Sequence, residues 1–296
     1  MDAAPTTDPG TAPRDATGSR DATTPRDATA ARDATGGQDG SAEPPVLEAR
    51  GIVKRFGHVE ALRGADFTVH RAEVVALIGD NGAGKSTLVK TLSGVHPPDE
   101  GEIRIGGRAV HFGTPLDARR AGVETVYQDL AVADDLSVAA NLYLGRELVR
   151  SGLLGRLGLL DKRAMRRGAT AALDELGVRI PRVTTPIAML SGGQRQCVAV
   201  ARAIIWATNV VILDEPTAAL GVVQTGRVLD VVRRARDAGM SVVLVSHNMP
   251  QVLEIADRVE VLRLGRRTAR FRAAEVGTDD LVAAMTGART TTAEDR

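Results

Sequence analysis

A glycine-rich segment that ends in lysine and serine is the part of this sequence best suited to chemistry. Residues 79–86 read Gly-Asp-Asn-Gly-Ala-Gly-Lys-Ser and fit the P-loop pattern G-x-x-x-x-G-K-[ST]. Glycines at these positions let backbone N–H groups turn inward around phosphate oxygens. Lys85 can reach the β and γ phosphates of a nucleotide, and the Ser86 hydroxyl can hold Mg²⁺. The segment therefore predicts a binding site for ATP and Mg²⁺.

The residues on either side of the P-loop support this prediction. Residues 74–78 form a continuous apolar run, as expected of a strand buried on both faces, and residues 85–92 predict a helix. The N-terminal end of that helix adds partial positive charge at the same point. A chance glycine-rich turn is not expected between two such elements. The predicted nucleotide-binding residues here are Gly79, Asp80, Asn81, Gly82, Ala83, Gly84, Lys85, Ser86 and Thr87.

Two adjacent carboxylates follow a second apolar run. Residues 210–213 predict a strand that ends at Asp214 and Glu215, where parallel strands present ligand-binding side chains. Asp214 is placed to bind Mg²⁺, and Glu215 is placed to polarise the attacking water. His247 follows another predicted strand, residues 241–245. A lone histidine is usually structural, but a neighbouring strand would bring this one beside the two carboxylates, so we predict that it contacts the γ-phosphate.

A second glycine-containing segment, residues 190–194, reads Leu-Ser-Gly-Gly-Gln. Ser191 and the two glycines can form another anion-binding nest at a helix start, which suggests that ATP is gripped from two sides. With this segment the chain resembles the ABC ATPases, whose signature sequence is LSGGQ. The resemblance covers about residues 46–287. It implies that the signature residues face the γ-phosphate of ATP bound on the partner subunit of a homodimer, and these residues are Ser191, Gly192, Gly193 and Gln194.

Two further positions take their roles from this resemblance. Gln128 matches the glutamine that touches Mg²⁺, acts in catalysis and links the core to a helical subdomain. Phe56 matches the aromatic residue that stacks on adenine, where tyrosine is commoner, and packing in the core is the alternative role. One position departs from the pattern. Many members have an aspartate that links the two active sites across the dimer, and this chain has Gly221 instead.

Several short segments resemble one branch of the ABC ATPases. Asp80 and Asn81 in the P-loop, with residues 124–130, 218–221 and 246–250, are similar to the second family of carbohydrate uptake ATPases, which serve ribose-, xylose- and fructose-type importers. This chain has one P-loop and one signature segment, and such a single cassette is typical of the fructose-type members. The resemblance implies import of a simple sugar through separate transmembrane permease subunits, with a sugar-binding protein acting indirectly through the permease. The alternatives are an importer for a different small solute and a soluble ABC ATPase not tied to transport.

Composition limits the classes of protein to consider. Lys plus Arg is 38 and Asp plus Glu is 37, and the net charge of +1 gives no reason to expect nucleic-acid binding. The single cysteine, Cys197, excludes an internal disulfide and a clustered cysteine metal site. No stretch approaches the roughly 20 apolar residues of a membrane helix, and the N-terminus has no apolar signal core. We therefore expect a chain that is not secreted and does not span the membrane. The resemblance to importer ATPases implies a peripheral position at the cytoplasmic face of the cell membrane. Residues 130–144 are the predicted docking surface for the permease, with ordinary subdomain core as the alternative.

The order of predicted elements indicates an α/β protein. Strand and helix alternate from residue 46, so we predict the P-loop NTPase fold of ABC ATPases. This fold has a mostly parallel sheet with flanking helices, an N-terminal antiparallel β part and an inserted α-helical subdomain. The domain is predicted to span residues 46–287, with the helical subdomain at about residues 130–208. Residues 1–45, in which Arg-Asp-Ala-Thr occurs four times, predict a disordered tail, and residues 288–296 predict a flexible one.

Overall fold

Two β-sheets with helices packed around them make up the domain. The computed structural model describes residues 43–288, so most of the two predicted tails lies outside the described residues. The strands are β1 (Leu47–Phe56), β2 (Val59–Val69), β3 (Val74–Ile78), β4 (Glu100–Ile105), β5 (Arg108–Val110), β6 (Val123–Val126), β7 (Val210–Asp214), β8 (Ser241–Val245), β9 (Arg258–Arg263) and β10 (Arg266–Arg272). The helices are α1 (Lys85–Leu92), α2 (Pro115–Arg120), α3 (Val138–Leu142), α4 (Leu153–Arg156), α5 (Lys162–Glu175), α6 (Gly192–Trp206), α7 (Val222–Asp237), α8 (Met249–Ile255) and α9 (Thr278–Thr286). Short 3₁₀ helices occupy Ile187–Met189 and Ala273–Glu275.

The larger sheet has six strands in the order β10-β9-β3-β8-β7-β6. The strands from β9 to β6 are parallel, and β10 pairs antiparallel with β9. Every residue of β3 and β8 is buried, as expected for central parallel strands covered on both faces. Leu77 of β3 and Asp214 of β7 both pair with Val245 of β8. The carboxyl ends of these three strands therefore meet at one edge, and the predicted site residues follow them there.

The smaller sheet is antiparallel, with strand order β2-β1-β4-β5. A tight hairpin joins β1 to β2, where Phe56 pairs with Val59. Leu47, Leu62 and Phe67 on its inner face pack in one hydrophobic cluster with α1 and with β3, β7 and β8. The smaller sheet thus covers one face of the central sheet. This is the antiparallel part that the sequence predicted.

The opposite face is covered by helices, and α3–α6 are inserted in the chain between β6 and β7. One hydrophobic cluster contains residues of α3, α5, α6 and α7 together with β7 and β8. The side chain of Asp161 caps α5 by accepting the Ala164 N–H at 2.8 Å. The chain leaves this helix at Gly177, whose φ is +66°. No helix within residues 43–288 has the length and hydropathy needed to cross a membrane.

The sequence did not predict β10. This strand contains four arginines among seven residues, which obscures the alternation in which Ala269 and Phe271 are buried. Its arginines have a structural use, because Glu260 on the neighbouring strand β9 has a side chain only 1% exposed and pairs with Arg267 at 3.5 Å and Arg270 at 2.9 Å. Burying a carboxylate at this depth costs free energy unless such partners compensate for its lost hydration. The formation of β10 and the pairing of its arginines with Glu260 therefore depend on each other.

Arg258 extends this buried ion network to the smaller sheet. Its guanidinium also pairs with Glu260, and it donates to the Thr68 carbonyl on β2 at 2.7 Å. We expect Glu260→Gln to lower the free energy of unfolding by about 3 kcal/mol, since a neutral amide removes one negative charge that three guanidinium groups share. Urea unfolding followed by circular dichroism measures this change.

An exposed ion pair supplies the control for this stability prediction. Glu275 and Arg272 lie 3.5 Å apart with both side chains mostly exposed. Glu275→Gln should change the free energy of unfolding by less than about 1 kcal/mol, since exposed pairs contribute little. Equal effects of the two substitutions would contradict a structural role for the buried network.

Candidate nucleotide-binding site

The P-loop leaves β3 and enters α1 in a conformation that requires glycine at two positions. Gly79 has φ +154°, and a Cβ there would lie 2.1 Å from the carbonyl oxygen of Leu262. Gly84, the N-cap of α1, has φ +105°, and no side chain caps this helix. The Gly265 N–H donates to the Ala83 carbonyl at 2.9 Å and holds the loop against the turn between β9 and β10. The first-turn N–H groups of α1 are thus left for an anion such as phosphate.

Lys85 is tied to the loop that precedes it. Its Nζ donates to the carbonyl oxygens of Gly79 at 2.6 Å and Asp80 at 3.0 Å. Burial lowers the pKa of Lys85, and the carboxylates of Glu215, Asp80 and Asp214 oppose that shift. The lysine ammonium group is therefore close enough to the predicted catalytic carboxylates to interact with them through space.

Asp214 and Glu215 lie where β7 ends. The N–H of Glu215 donates to the carbonyl of Val245 on β8 at 3.0 Å. Glu215 has φ +51°, a left-handed conformation that is uncommon for residues other than glycine. Burial raises the pKa of Asp214, as does the neighbouring Glu215 carboxylate, whereas Lys85 and Lys90 lower it. The turn after β7 thus brings two carboxylates into one cluster of charges with the P-loop lysine.

His247 lies beside Glu215, as its place after β8 predicted. Nδ1 of His247 is 3.2 Å from Oε1 of Glu215, and the histidine side chain is 65% exposed. A histidine with a purely structural role in the core would be buried, so this exposure favours contact with a ligand. A cavity of about 120 Å³ lies next to the pair, and its lining consists of Glu215, Thr217, Ala218, Leu220, Ser246, His247, Asn248 and Gln251.

Four polar residues of this cavity were not among the site residues predicted from the sequence. Thr217 Oγ1 donates to Gln251 Oε1 at 2.8 Å. Asn248 caps α8 by accepting the Gln251 N–H at 3.2 Å, and its own N–H donates to Ser246 Oγ at 3.1 Å. These bonds fix the turn that carries His247. An asparagine shortly before a proline is a helix-start signal, and that signal could have identified Asn248.

Gln128 and Phe56 both have exposed side chains. Gln128 lies in the turn after β6, and Val126 of β6 pairs with Leu213 of β7. Gln128 is therefore at the same sheet edge as the two carboxylates. Phe56 ends β1, is 45% exposed and meets the ring of His96 edge-on at 5.2 Å. This exposure favours stacking on a ligand over packing in the core.

The signature segment forms the start of α6. Ser191 caps the helix by accepting the Gln194 N–H at 3.3 Å, and Gln194 Oε1 accepts the Ser191 N–H at 3.0 Å. Ser191 and Gly192 are exposed, whereas a Cβ on Gly193 would lie 2.9 Å from the side chain of Gln224 on α7. In the described part of the chain, no hydrogen bond or ion pair joins residues 190–194 to the P-loop. The two predicted nests are thus not joined by a hydrogen bond or an ion pair within the described residues.

Comparison with known proteins identifies the family. A family model described as ABC transporter matches residues 62–218. The fructose import ATP-binding protein of Rhizobium meliloti is 50% identical over 250 residues, which cover 84% of this chain and 96% of that protein. The chain belongs to the ABC transporter ATP-binding family. The predicted ABC-type ATPase is thereby confirmed.

Further relatives of this ABC ATPase carry names of the same kind. The xylose/arabinose import ATP-binding protein of Sulfolobus acidocaldarius is 42% identical, over 81% of this chain and 94% of that protein. A ribose import ATP-binding protein of Rubrobacter xylanophilus is 44% identical, over 82% of this chain and 47% of that protein. The chain thus spans about half the length of the ribose relative. The predicted resemblance to carbohydrate uptake ATPases is confirmed.

Solved structures of ABC cassettes have the same fold. A nucleotide-free ATP-binding cassette from an ABC transporter matches with a TM-score of 0.68 at 24% identity, over 82% of this chain and 96% of that chain. A dimeric post-hydrolysis state of an ATP-binding cassette bound to ADP and Pi matches with a TM-score of 0.62 at 21% identity, over 77% of this chain and 98% of that chain. At these identities the likeness concerns the fold, and the predicted ABC ATPase fold is confirmed.

The oxygen donors of this ABC ATPase fit a Mg²⁺ ion that is bound together with a nucleotide. Mg²⁺ in phosphate sites uses one or two protein carboxylates and completes its shell with phosphates and water. Ser86 is exposed in the first turn of α1, and Asp214 is a half-buried carboxylate at the adjacent sheet edge. Within residues 43–288, no group of three or more His, Cys, Asp or Glu is arranged to hold a metal ion by itself. The residues present suit a metal that arrives with its nucleotide.

Gly221, which replaces the aspartate of many ABC ATPases, begins α7. Its N–H donates to Gln224 Oε1 at 3.1 Å. Its φ is −73°, which any residue can adopt, and a Cβ there would meet only Gln224 Oε1, at 3.7 Å. The backbone therefore does not require glycine at this position, and an aspartate would fit.

Proposed function

We propose that this chain is the ATP-hydrolysing subunit of an importer for a simple sugar, acting as a homodimer beneath a transmembrane permease. The observation that carries the proposal is the contact between His247 and Glu215 next to the P-loop edge. In this pair Glu215 is the proposed catalytic base and His247 is its neighbour. Both lie near the place where Lys85 would hold a terminal phosphate. The names of the fructose, xylose/arabinose and ribose import relatives support a sugar as the cargo.

The P-loop residues bind and orient the nucleotide. The uncapped first turn of α1 and backbone N–H groups of the glycine-rich loop would receive the phosphates, and Lys85 would exchange its loop carbonyls for β and γ oxygens. Ser86, Asp214 and Gln128 are the residues that would hold Mg²⁺. When bound, Mg²⁺ would neutralise the negative charge that develops on the phosphate oxygens during hydrolysis. Phe56, exposed at the end of β1, provides a face for adenine.

Glu215 and His247 act on the reacting groups. Glu215 orients the attacking water and accepts its proton as the water oxygen bonds to the γ-phosphorus. The bond from the γ-phosphorus to the β–γ bridging oxygen breaks in the same displacement, and ADP leaves with that oxygen. The contact through Nδ1 fixes the His247 ring, which leaves Nε2 for a γ-phosphate oxygen. The left-handed turn at Glu215 and its hydrogen bond to Val245 hold the carboxylate in place while the nucleotide reacts.

A second copy of the chain completes each active site. The signature nest at Ser191 and Gly192 is exposed and has no hydrogen bond to the P-loop among the described residues, so it is available to the ATP of a partner. Two copies that face each other head to tail would enclose two nucleotides. The partner's nest of backbone N–H groups would contact the side of the γ-phosphate that the P-loop leaves exposed, and would stabilise its negative charge.

The permease is proposed to dock on the exposed part of residues 130–144. Val138, Ala139 and Leu142 are buried in the helical core, in line with the alternative that the sequence left open. Leu136 and Leu144 are 39% and 46% exposed. These two side chains offer an apolar contact for a cytoplasmic segment of the permease, and such a contact would keep the ATPase at the cytoplasmic face of the membrane.

Uptake of labelled sugars by a deletion strain tests the proposed cargo. We expect loss of uptake of fructose, ribose or xylose, and restoration by the wild-type gene but not by Glu215→Gln. Normal uptake of all three sugars, alongside loss of another solute, would assign the importer to that solute. Normal uptake of every solute tested, with intact ATPase activity of the purified chain, would favour an ABC ATPase not tied to transport.

A further inference from the structure

Gln128 is followed by a turn that α6 holds directly. Ala131, three residues after Gln128, has φ +47°, a left-handed conformation for a residue with a side chain. Arg202 of α6 donates to the carbonyl oxygens of Ala131 at 3.0 Å and Leu130 at 3.4 Å. Two bonds from one planar guanidinium fix the direction of the backbone as well as its position. Arg202 therefore fixes the direction in which the backbone runs after Gln128.

The chain before Gln128 is held through a buried ion pair. Glu124 of β6 has a side chain only 11% exposed, and its Oε1 accepts a hydrogen bond from Nη2 of Arg146 at 2.5 Å. Burial raises the pKa of Glu124, and the charge of Arg146 opposes that shift. Arg146 comes from the segment after α3, so the pair joins the sheet to the inserted helices.

Arg146 is held in turn by the last residue of α6. Its guanidinium lies 4.8 Å from the ring centroid of Trp206, and Nη1 donates to the Trp206 carbonyl at 3.5 Å. Trp206 Nε1 donates to the Leu142 carbonyl at 2.7 Å, and Tyr143 meets the Trp206 ring edge-on at 5.5 Å. These contacts leave Arg146 little freedom to turn away from Glu124.

Both sides of Gln128 are thus attached to one helix, α6, and the signature serine caps the other end of that helix. We propose that Glu124, Arg146 and Arg202 form a clamp that positions Gln128 for hydrolysis and makes its placement depend on α6. None of the three is among the predicted nucleotide contacts, so they are positioning residues that act through Gln128. This inference rests on the proposed function, because it takes Gln128 as a residue that acts at Mg²⁺ and the γ-phosphate.

The clamp has a mechanical consequence for the dimer. When the signature end of α6 meets a partner's nucleotide, any shift of the helix is passed to Leu130, Ala131 and Glu124 through short polar contacts. Gln128 lies between these attachment points and moves with them. Engagement of the nucleotide on one chain would therefore adjust the hydrolytic site on the other.

A double-mutant cycle tests the clamp. Arg146→Met and Arg202→Met are made alone and each with Gln128→Ala, and kcat and the Mg²⁺ concentration for half-maximal activity are measured. We expect each single variant to lower kcat about tenfold, since a small misplacement of a catalytic group has effects of this size. We expect the double variants to lose no more than Gln128→Ala alone, and the Mg²⁺ requirement to rise equally in all of them.

A neighbouring arginine provides the matched control. Arg119 approaches the other oxygen of Glu124 at 3.6 Å from a side chain that is 60% exposed. Arg119→Met should leave kcat and the Mg²⁺ requirement near wild type. Melting temperature and binding of a fluorescent ATP analogue are measured for every variant. Should Arg146→Met fail to fold, Glu124→Gln removes the same charge pair and keeps the side-chain shape.

Three outcomes would overturn the clamp. One is unchanged kcat in the folded single variants, and another is a loss in the double variants equal to the product of the single losses. The third is full activity of Gln128→Ala while Glu215→Gln is inactive, which would remove Gln128 from the mechanism and leave the proposed function standing. Normal turnover by Glu215→Gln would instead count against the proposed function itself.

Discussion

Replacing Glu215 with glutamine is expected to lower kcat by about 10²-fold or more while leaving ATP binding intact. The amide keeps the size of the side chain and can still contact His247, whose Nδ1 lies 3.2 Å from Oε1 of Glu215. It cannot take a proton from water. Steady-state phosphate release measures the loss, and a fluorescent nucleotide measures binding. Gel filtration with ATP should show that the variant persists as a dimer, because the bound nucleotide is not consumed.

A glutamate on α8 offers the control for this substitution. Glu254 is 53% exposed and pairs with Arg233 on the surface of the domain. Glu254→Gln should hydrolyse ATP at close to the wild-type rate. Near wild-type turnover by Glu215→Gln would remove Glu215 from the mechanism and leave the water without an assigned base.

Mixing two inactive variants is expected to restore ATPase activity. Lys85→Ala removes the proposed phosphate contact of the P-loop, and Ser191→Arg puts a bulky cation where we propose that the γ-phosphate of the partner lies. In a mixed dimer, the P-loop of the Ser191→Arg chain meets the intact signature of the Lys85→Ala chain. The other site combines the P-loop of the Lys85→Ala chain with the signature of the Ser191→Arg chain, so it contains both substitutions. With random pairing and independent sites, an equal mixture should recover about a quarter of wild-type activity.

This experiment needs a dimerisation assay beside it, because obligatory coupling between the two sites would suppress the recovery. The absence of the usual aspartate at Gly221 favours sites that act independently. Ser151→Arg, at an exposed serine of the helical insertion, controls for the added charge and should remain active. A wild-type chain that hydrolyses ATP at a constant specific rate while monomeric would place the signature outside the active site and exclude the shared-site mechanism.

The features predicted from the sequence are those that depend on consecutive residues. The P-loop needs only its glycines, Lys85 and Ser86 in a row, and Ser191 and Gln194 cap α6 across three positions. The meeting of Glu215 and His247 was also predictable, since both follow parallel strands and such strands end at a common edge. These rules depend on short segments and on the direction of neighbouring strands, so they hold regardless of what packs against the sheet.

The features that were missed depend on contacts between distant segments or on weak local patterns. Glu124 and Arg146 are 22 positions apart, and their pairing depends on how α3 and α6 pack, which no local pattern specifies. The arginine-rich sequence of β10 is typical of a solvent-exposed segment. Only the pairing of its arginines with Glu260 on β9 explains why it forms a strand. In contrast, α2 carried a usable signal, because Thr114 and Asp117 form a capping box around a proline at the first turn.

The left-handed backbone at Glu215 makes this position a weak point of the fold. A residue with a side chain costs on the order of 1 kcal/mol there, a cost that glycine would not incur. Selection that rewards only resistance to heat would therefore favour Glu215→Gly, and would discard the residue that we propose as the catalytic base. A laboratory evolution of this ATPase should score hydrolysis in every round, because a gain in thermal tolerance is expected inside its proposed active site.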